Sequence, residues 1–413
     1  VDGIEFSGNI VDTNATVDNR FFTKSSVDWS YDTSVPIPTE NNEVLNVEKN
    51  IESPSRDILN MERSNHAVGA FNLGSSKIPK ALKLRAGPGW KPNIKIRVKK
   101  PDIIDVYPGP GNLRIAIGKA TSGSTIRLAG ATYEIEKSIK VEKEITIEGA
   151  ADGSTMLKSM EDLENPFMYF FKVSPGGKLK MKNLTLDALN QNSIKYALVS
   201  PSENESGLYS IYADNCIFQN FKTKNGGSIF KAYIGTKADT LSFSNTRFVN
   251  SYRGLNLSYD KYNIGKYNAN VIMLENTLFK DIEEHAVNYY RDTLDANLPG
   301  GELIIDHCVF DNVYNNEKGK ILIATGIHKV NITNSVFVNS YKIQIPMQLS
   351  GATNIMDNCL FYDVGFPKFI KGAIDTNVLY KKPKWLDENS YIPNEKSPLL
   401  KEKNGVGNIG LIY

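Results

Sequence analysis

The chain has 413 residues, of which 41% are hydrophobic and 23% are charged, and its formal net charge is +2. This composition excludes intrinsic disorder, and the near balance of 48 basic and 46 acidic residues argues against nucleic acid as the main partner. The apolar runs are only four or five residues long, as in Ile321–Ala324. No membrane span is expected, because one needs about 18 apolar residues.

The first residues carry a short strand pattern, Ile4–Val11, that contains an asparagine at Asn9. The same pattern recurs later in the chain, where it marks the coils of a stack. A single coil cannot bury its inner face, so residues 1–11 are predicted to be the last coil of an upstream β-helix. We therefore expect the chain to be the later part of a longer protein.

Residues 12–100 read as an irregular connector between domains. This segment is rich in Ser, Asn and Asp and contains Pro36, Pro38, Pro54 and Pro79. The second domain is then predicted to begin near residue 101. Leu113–Ala120 is predicted to be a short amphipathic helix that covers the open end of this domain, and strands are predicted at Ser124–Leu128 and Lys140–Ile147.

An internal repeat dominates residues 179–361. Seven segments alternate apolar and polar residues, reach an asparagine or its substitute, and in six of them end in phenylalanine three residues later. They are Leu179–Leu186, Ile211–Phe218, Leu241–Phe248, Ile272–Phe279, Leu303–Phe310, Val330–Phe337 and Asn354–Phe361. The anchor positions, residues 183, 215, 245, 276, 307, 334 and 358, are spaced by 32, 30, 31, 31, 27 and 24 residues, one supersecondary unit per repeat.

The repeat predicts an all-β fold, a right-handed parallel β-helix over residues 101–380. Its internal period of two indicates strands, tight hairpin signals are scarce, and no helical pattern separates the strands. Asparagine tolerates the left-handed turn conformation, and its amide can bond to the coils above and below. Cys216, Cys308 and Cys359 follow the anchor position, so we interpret them as core residues rather than metal ligands.

The best candidate for a binding surface is Glu283–Asp292, predicted to be a loop after the strand that ends at Phe279. Together with residues of neighbouring coils it supplies Tyr, Arg and Lys side chains that suit an anionic sugar chain through stacking and charge pairing. The candidate residues are Lys231, Tyr233, Arg253, His285, Tyr289, Tyr290 and Arg291. The alternative is that these residues only form an exposed polar loop. His307 takes an anchor position and is read as structural.

The C-terminal tail, residues 381–413, contains Pro383, Pro393 and Pro398 and is predicted to pack across the last coil, with Leu399 and Leu400 as anchors. The basic stretch from Lys368 to Lys384 is read as a solvated edge, or as a dock for the upstream domain or an acidic polymer.

Three features together resemble the two-domain polysaccharide lyases of family 6, the chondroitinase B and alginate lyase group. They are the opening motif Val1–Val11, the connector motifs Asn65–Ser75 and Ala86–Trp90, and the second, capped β-helix. The resemblance implies β-elimination at a uronic acid in alginate, chondroitin or dermatan, with a lysine base and an arginine acid. The resemblance also implies that a metal such as calcium, or polar donors, would neutralise the uronate carboxylate in an upstream catalytic domain.

The catalytic motifs of that family are absent from this sequence, so no catalytic residue and no metal ligand is assigned to it. The first hypothesis is that the chain is the C-terminal part of such a lyase and gives stability, substrate contacts or homodimer contacts. The others are a stand-alone carbohydrate-binding β-helix and a self-sufficient hydrolase or lyase. Because polymers do not enter the cytoplasm, we expect a periplasmic, cell-surface or secreted protein.

Overall fold

The computed structural model describes twelve stretches of the chain: residues 102–160, 167–189, 194–203, 205–224, 226–257, 268–290, 301–313, 320–340, 347–365, 367–369, 373–387 and 389–412. It also gives the backbone of four two-residue strands, Ile10–Val11, Thr23–Lys24, Trp29–Ser30 and Ile37–Pro38. The first two of these strands pair in parallel, and the last two pair antiparallel. The chain divides into two compact units, residues 1–98 and 99–413. Apart from those strands, the predicted upstream coil and connector lie outside the described residues.

Parallel strands stacked coil upon coil form one long face of the second unit, called sheet 1 here. Its eleven strands are Ile103–Val106, Ser124–Leu128, Glu144–Glu148, Lys178–Lys182, Leu208–Asp214, Lys237–Ser244, Asn268–Glu275, Glu302–Asp306, Lys329–Thr333, Thr353–Asp357 and Ala373–Thr376.

Two further faces, sheets 2 and 3, complete each coil. Sheet 2 contains Thr132–Ile135, Met156–Ser159, Thr185–Asp187, Ile217–Gln219, Val309–Val313, Val336–Ser340, Leu360–Val364 and Leu379–Tyr380. Sheet 3 contains Ile139–Val141, Tyr169–Val173, Tyr196–Val199, Ser228–Lys231, Leu322–Thr325, Met347–Ser350 and Lys368–Phe369. Two long strands, Arg247–Asn256 and Leu278–Tyr290, pass through the corner and belong to both. Since pairing within all three faces is parallel, the predicted parallel β-helix is confirmed.

The anchor residues make the turn from sheet 1 to sheet 2. Every anchor, including His307, has a φ near +50°, the left-handed conformation that asparagine tolerates. Their amides form a ladder between coils: the Asn215 Nδ2 donates to Asn183 Oδ1 at 2.8 Å, and the Asn276 Nδ2 donates to Asn245 Oδ1 at 2.8 Å. The predicted asparagine ladder is therefore confirmed for three of the six steps between anchors, whereas Asn245 and Asn334 donate to Asp214 Oδ1 and Asp306 Oδ1 instead.

Inside the coils the repeated phenylalanines stack on one another. The ring centroids of Phe279 and Phe310 are 5.0 Å apart with an interplanar angle of 7°, and those of Phe310 and Phe337 are 4.8 Å apart. Cys308 and Cys359 are fully buried and Cys216 is 1% exposed, so the core assignment of the three cysteines is confirmed. Their thiols also donate to backbone carbonyls, for example Cys308 Sγ to Asp306 O at 3.3 Å.

The helix Asn112–Lys119 begins at Gly111, whose φ is +71°, and it buries Leu113, Ala116 and Ile117 against the first coil. This confirms the predicted capping helix. The predicted single strand over Lys140–Ile147 is wrong, because Glu142 and Lys143 turn the corner from sheet 3 to sheet 1 and leave two strands, Ile139–Val141 and Glu144–Glu148.

The tail takes a different path from the predicted one. Instead of only crossing the last coil, it packs along the outer side of sheet 2, where Tyr391, Leu399 and Ile409 contribute to a second apolar cluster. The sheet residues of that cluster are Leu278, Val309, Val336, Val338 and Leu360. The tail contains the antiparallel strands Trp385–Asp387 and Ile392–Pro393 and the helix Lys401–Asn404. Its end reaches back to Asn276, whose Oδ1 accepts from the Ile412 N–H at 2.7 Å.

Candidate functional site

Three polar residues lie side by side on the outer face of sheet 3. The strand register aligns Lys231 with Asn256 and Asn256 with Asn288. The preceding residues in these strands belong to the core, namely Phe230, Leu255 and Val287. Successive strand residues point to opposite faces, so the three polar side chains point away from the core. Lys231 and Asn256 are nevertheless covered, since they are 5% and 1% exposed, and Asn288 is partly buried.

Burial changes the charge state of Lys231. Removal from water, followed by the nearby positive charge of Arg253, lowers the pKa of its ammonium to about 7. Near neutral pH the group therefore exists as a mixture of amine and ammonium. An amine in this state can take up a proton from a substrate, and an ammonium can pair with an anion.

A charged cluster occupies the neighbouring corner between sheets 2 and 3. The Arg253 Nη2 lies 2.5 Å from Glu284 Oε2, and the guanidinium carbon lies 4.8 Å from the centre of the Tyr252 ring. The His285 Nδ1 lies 2.9 Å from both the backbone nitrogen and the backbone oxygen of Lys320, and its Nε2 lies 3.3 Å from Glu284 Oε1. Burial opposes the charge on Glu284, but the contacts with His285 and Arg253 prevail and hold its pKa at about 2.

Two buried polar atoms in this region lack a protein partner. The Arg253 Nε and the Asn288 Oδ1 are inaccessible to water and have no hydrogen-bond partner among the residues that the structure describes. A buried unpaired donor or acceptor costs about 1–3 kcal/mol, and such groups are commonly satisfied by a ligand or a water molecule. The polar site is defined here as Lys231, Tyr252, Arg253, Asn256, Glu284, His285 and Asn288.

Arg253 pairs in register with His285, and Lys231 lies near enough to Arg253 for that positive charge to lower its pKa. Tyr233 follows the end of the strand Ser228–Lys231. Burial, and to a lesser extent the neighbouring Tyr196 and Tyr169, raise the pKa of its hydroxyl to about 12. Tyr290 ends the long corner strand and is half-buried. Whether these residues bind a ligand stays a prediction.

Two expectations about this region are wrong. Residues 283–290 do not form a loop, because they continue the strand Leu278–Tyr290. Tyr289 is no surface residue either: it is fully buried in the core, and its hydroxyl accepts from the Ala269 N–H at 2.9 Å. Arg291 lies outside the described residues.

Asn256 was not identified from the sequence, and Glu284 and Asn288 were noticed only as parts of the supposed loop. Their common signal is a polar residue beside a core position in the strands of sheet 3, and this signal becomes visible only once the register is known. Within the described stretches no group of three or more His, Cys, Asp or Glu residues is arranged to hold a metal ion. None of the helices in those stretches is long and apolar enough to cross a membrane.

Comparison with known proteins supports the fold. No protein-family model matches the chain, and no curated protein matches it. The solved structure of the PL6 family alginate lyase AlyGC is similar, with a TM-score of 0.56 and 17% sequence identity, over 92% of this chain and 50% of that one. An arginine-to-alanine variant of AlyGC gives a TM-score of 0.51 at 18% identity, over 91% of this chain and 50% of that one.

The chain therefore spans about half the length of the alginate lyase that it matches. At this level of identity the likeness establishes a PL6-like parallel β-helix, and it leaves activity and substrate to be argued from the residues.

Proposed function

We propose that this chain is the C-terminal part of a polysaccharide lyase and that its polar site binds a uronic-acid polysaccharide. Alginate is the first substrate to test, since the similar solved structures are those of an alginate lyase, and chondroitin and dermatan sulfate follow. In this proposal the main catalytic residues, and any calcium, lie in an upstream β-helix. The protein would work outside the cytoplasm, and the chain would also contribute stability or homodimer contacts.

The observation that carries the proposal is a pair of cationic side chains: Lys231 is buried, and Arg253 is 23% exposed and has an Nε without a hydrogen-bond partner among the described residues. A uronate presents a carboxylate on every sugar, and a guanidinium donor pairs with a carboxylate through short, charge-assisted hydrogen bonds. Glu284 already neutralises part of Arg253, so the arriving carboxylate would be balanced mainly by Lys231. Tyr252 offers an aromatic face beside it.

Binding of an anion at this position would change the protonation of Lys231. With its pKa at about 7, the side chain is close to half protonated at pH 7. A carboxylate nearby stabilises the ammonium, so the complex would take up about half a proton at this pH.

Calorimetry tests this coupling. Alginate oligosaccharides are titrated into the 413-residue chain at pH 7 in two buffers with different ionisation enthalpies. We expect the apparent enthalpy to depend on the buffer for the wild type and for Lys137→Met, which removes an exposed lysine, but not for Lys231→Met. Arg253→Ala should weaken binding about tenfold or more, because it removes a hydrogen bond to a charged group. Equal proton uptake in wild type and Lys231→Met would refute the role of Lys231.

A second candidate function is β-elimination on this chain itself, and the lowered pKa of Lys231 favours it. The Lys231 amine would take the proton next to the uronate carboxylate, and the electron pair left behind would form the sugar double bond while the glycosidic oxygen leaves. Arg253 would then give the leaving oxygen its proton. A stand-alone carbohydrate-binding protein would use the same polar site without this step.

The ultraviolet absorbance of the unsaturated uronate product separates these candidates. We expect the chain alone to be silent with alginate, chondroitin sulfate and dermatan sulfate, and activity to appear when it is joined to an upstream β-helix. A signal from the chain alone that Lys231→Met abolishes would favour catalysis here. Binding without cleavage in both preparations would favour the stand-alone binding protein.

A further inference from the structure

A second concave surface lies on the outer side of sheet 2 and begins at Asp311, one coil beyond the strand Leu278–Tyr290. The tail folds back over the outer side of sheet 2, and its antiparallel strands leave a cleft of about 680 Å³ beside the last coils. We call it the tail cleft. Its volume lies within the range of about 300–1,000 Å³ that is usual for small-ligand sites.

Aromatic rings form the walls of the tail cleft. Tyr362 comes from sheet 2 and is 36% exposed, and Trp385 comes from the tail. The Trp385 ring meets the Tyr391 ring edge-on, with centroids 5.4 Å apart and an interplanar angle of 85°. Tyr391 is itself fixed, because its hydroxyl donates to Asp311 Oδ2 at 2.6 Å and only 2% of the residue is exposed. The Trp385 ring therefore packs against a residue, Tyr391, that is itself held in place.

Charged and polar groups surround these rings. Lys382 and Lys384 are exposed at the cleft, with the Lys382 Nζ 5.9 Å from the centre of the Tyr362 ring. Asp363 and Asn394 complete the lining. Of the two lining carboxylates, Asp311 is already engaged by Tyr391 and by the Asn339 Nδ2, so it offers less negative charge to an incoming ligand.

This combination matches the chemistry of an acidic sugar. The C–H faces of a pyranose ring pack on aromatic side chains, its hydroxyls pair with carboxylate and amide groups, and a uronate carboxylate pairs with lysine. A nonpolar ligand would leave both lysines and Asp363 without a role. A folded protein domain would need a larger and flatter contact than this cleft offers.

We propose that the tail cleft is a second binding site for uronate-containing polysaccharide. A short segment of the polysaccharide would lie between the side chains of Tyr362 and Trp385. The choice of sugar class rests on the proposed function, whereas the cleft itself rests on its own residues. A second site on another face would let one polymer contact the protein at two places and would raise its apparent affinity for long chains.

Tryptophan fluorescence tests the tail cleft directly. The chain has three tryptophans, and Trp385 is the one in the cleft, so the difference between wild type and Trp385→Phe isolates its signal. Alginate oligosaccharides should change this signal, and Tyr362→Ala should weaken the response about fivefold, the effect of losing one ring contact. Tyr380→Ala, which removes an aromatic residue that is 52% exposed and lies outside the cleft lining, is the matched control.

The outcomes separate the two sites. In one outcome the oligosaccharides bind and Arg253→Ala weakens their binding, but the Trp385 fluorescence does not change and Tyr362→Ala binds them normally. This outcome would refute the tail cleft as a binding site and support the polar site. If Trp385 responds and Tyr362→Ala weakens binding while Arg253→Ala has no effect, the cleft stands and the polar site is refuted. No binding in any assay would refute both. Thermal melting of Tyr362→Ala, at a partly exposed position, establishes that the variant is folded.

Discussion

Lys231→Met should make the protein more stable at pH 7, and the gain should shrink as the pH rises. In the unfolded chain the lysine has its ordinary pKa of 10.5, and in the fold the pKa is about 7 because the ammonium is buried beside Arg253. Between these two values the unfolded state binds more protons than the folded state, so the contribution of Lys231 to stability rises with pH in this window.

The magnitude follows from the size of the shift. At pH 7 the lowered pKa costs about 4 kcal/mol relative to an exposed lysine, since one pKa unit corresponds to about 1.4 kcal/mol. From pH 7 to pH 9 the wild type should recover about 2 kcal/mol of this cost. Methionine has a similar length and no charge, so it should remove the penalty at both pH values.

Thermal melts of both proteins at pH 7, 8 and 9 measure this effect. The advantage of Lys231→Met over the wild type should fall by roughly 3–4 °C between pH 7 and pH 9 for a domain of this size. Lys137→Met, at an exposed position, should melt in parallel with the wild type at every pH. Melting curves of wild type and Lys231→Met that stay parallel from pH 7 to pH 9 would refute the buried state of Lys231.

Three further predictions concern the stack itself. Phe310→Ala should lower the free energy of unfolding by about 3–5 kcal/mol, because the ring is fully buried between two stacked rings; a loss below about 1 kcal/mol in urea unfolding would contradict the ladder. Asn276→Ala should cost about 1 kcal/mol more than Asn276→Gly, since φ is +49° there, and equal melting temperatures would contradict this. A thiol reagent at pH 8 should modify none of the three cysteines before unfolding and all three afterwards, because burial raises the pKa of Cys216 and Cys359 to about 12 and that of Cys308 further.

The repeating part of the fold could be predicted from the sequence because the same short residue pattern recurs in each coil. An asparagine followed by a buried phenylalanine three residues later fixes both a left-handed turn and the inner face of the next strand. His307 shows that the backbone requirement dominates, since it adopts a φ of +51° and pairs with Asp306 Oδ2 at 2.8 Å. The position of the cysteines followed from the same register.

The candidate site could be predicted only in part, because the strands of sheet 3 do not keep a regular alternation. The core residues of the long corner strand are Phe279, Ile282, Ala286, Val287 and Tyr289. The steps between them are three, four, one and two residues, and a register irregularity accompanies the corner in the neighbouring strand between Ser251 and Arg253. Regular alternation is therefore interrupted within the corner strand, and Tyr289 was expected on the surface because residues 283–292 were predicted to form an exposed loop.

The polar site is a local exception on a surface that the fold could have filled with apolar residues. In the same outward row of sheet 3, Val199 pairs with Lys231 from the preceding coil, and Ile323 pairs with Asn288 from the following coil. The row therefore accepts aliphatic side chains on both sides of the site. A lowered lysine pKa and two unpaired buried atoms make this short stretch costly for stability, and the stacking of coils does not require them. Strain of this kind is typical of residues retained for binding or catalysis, and here the unpaired atoms of Arg253 and Asn288 occur beside a lysine whose pKa is lowered.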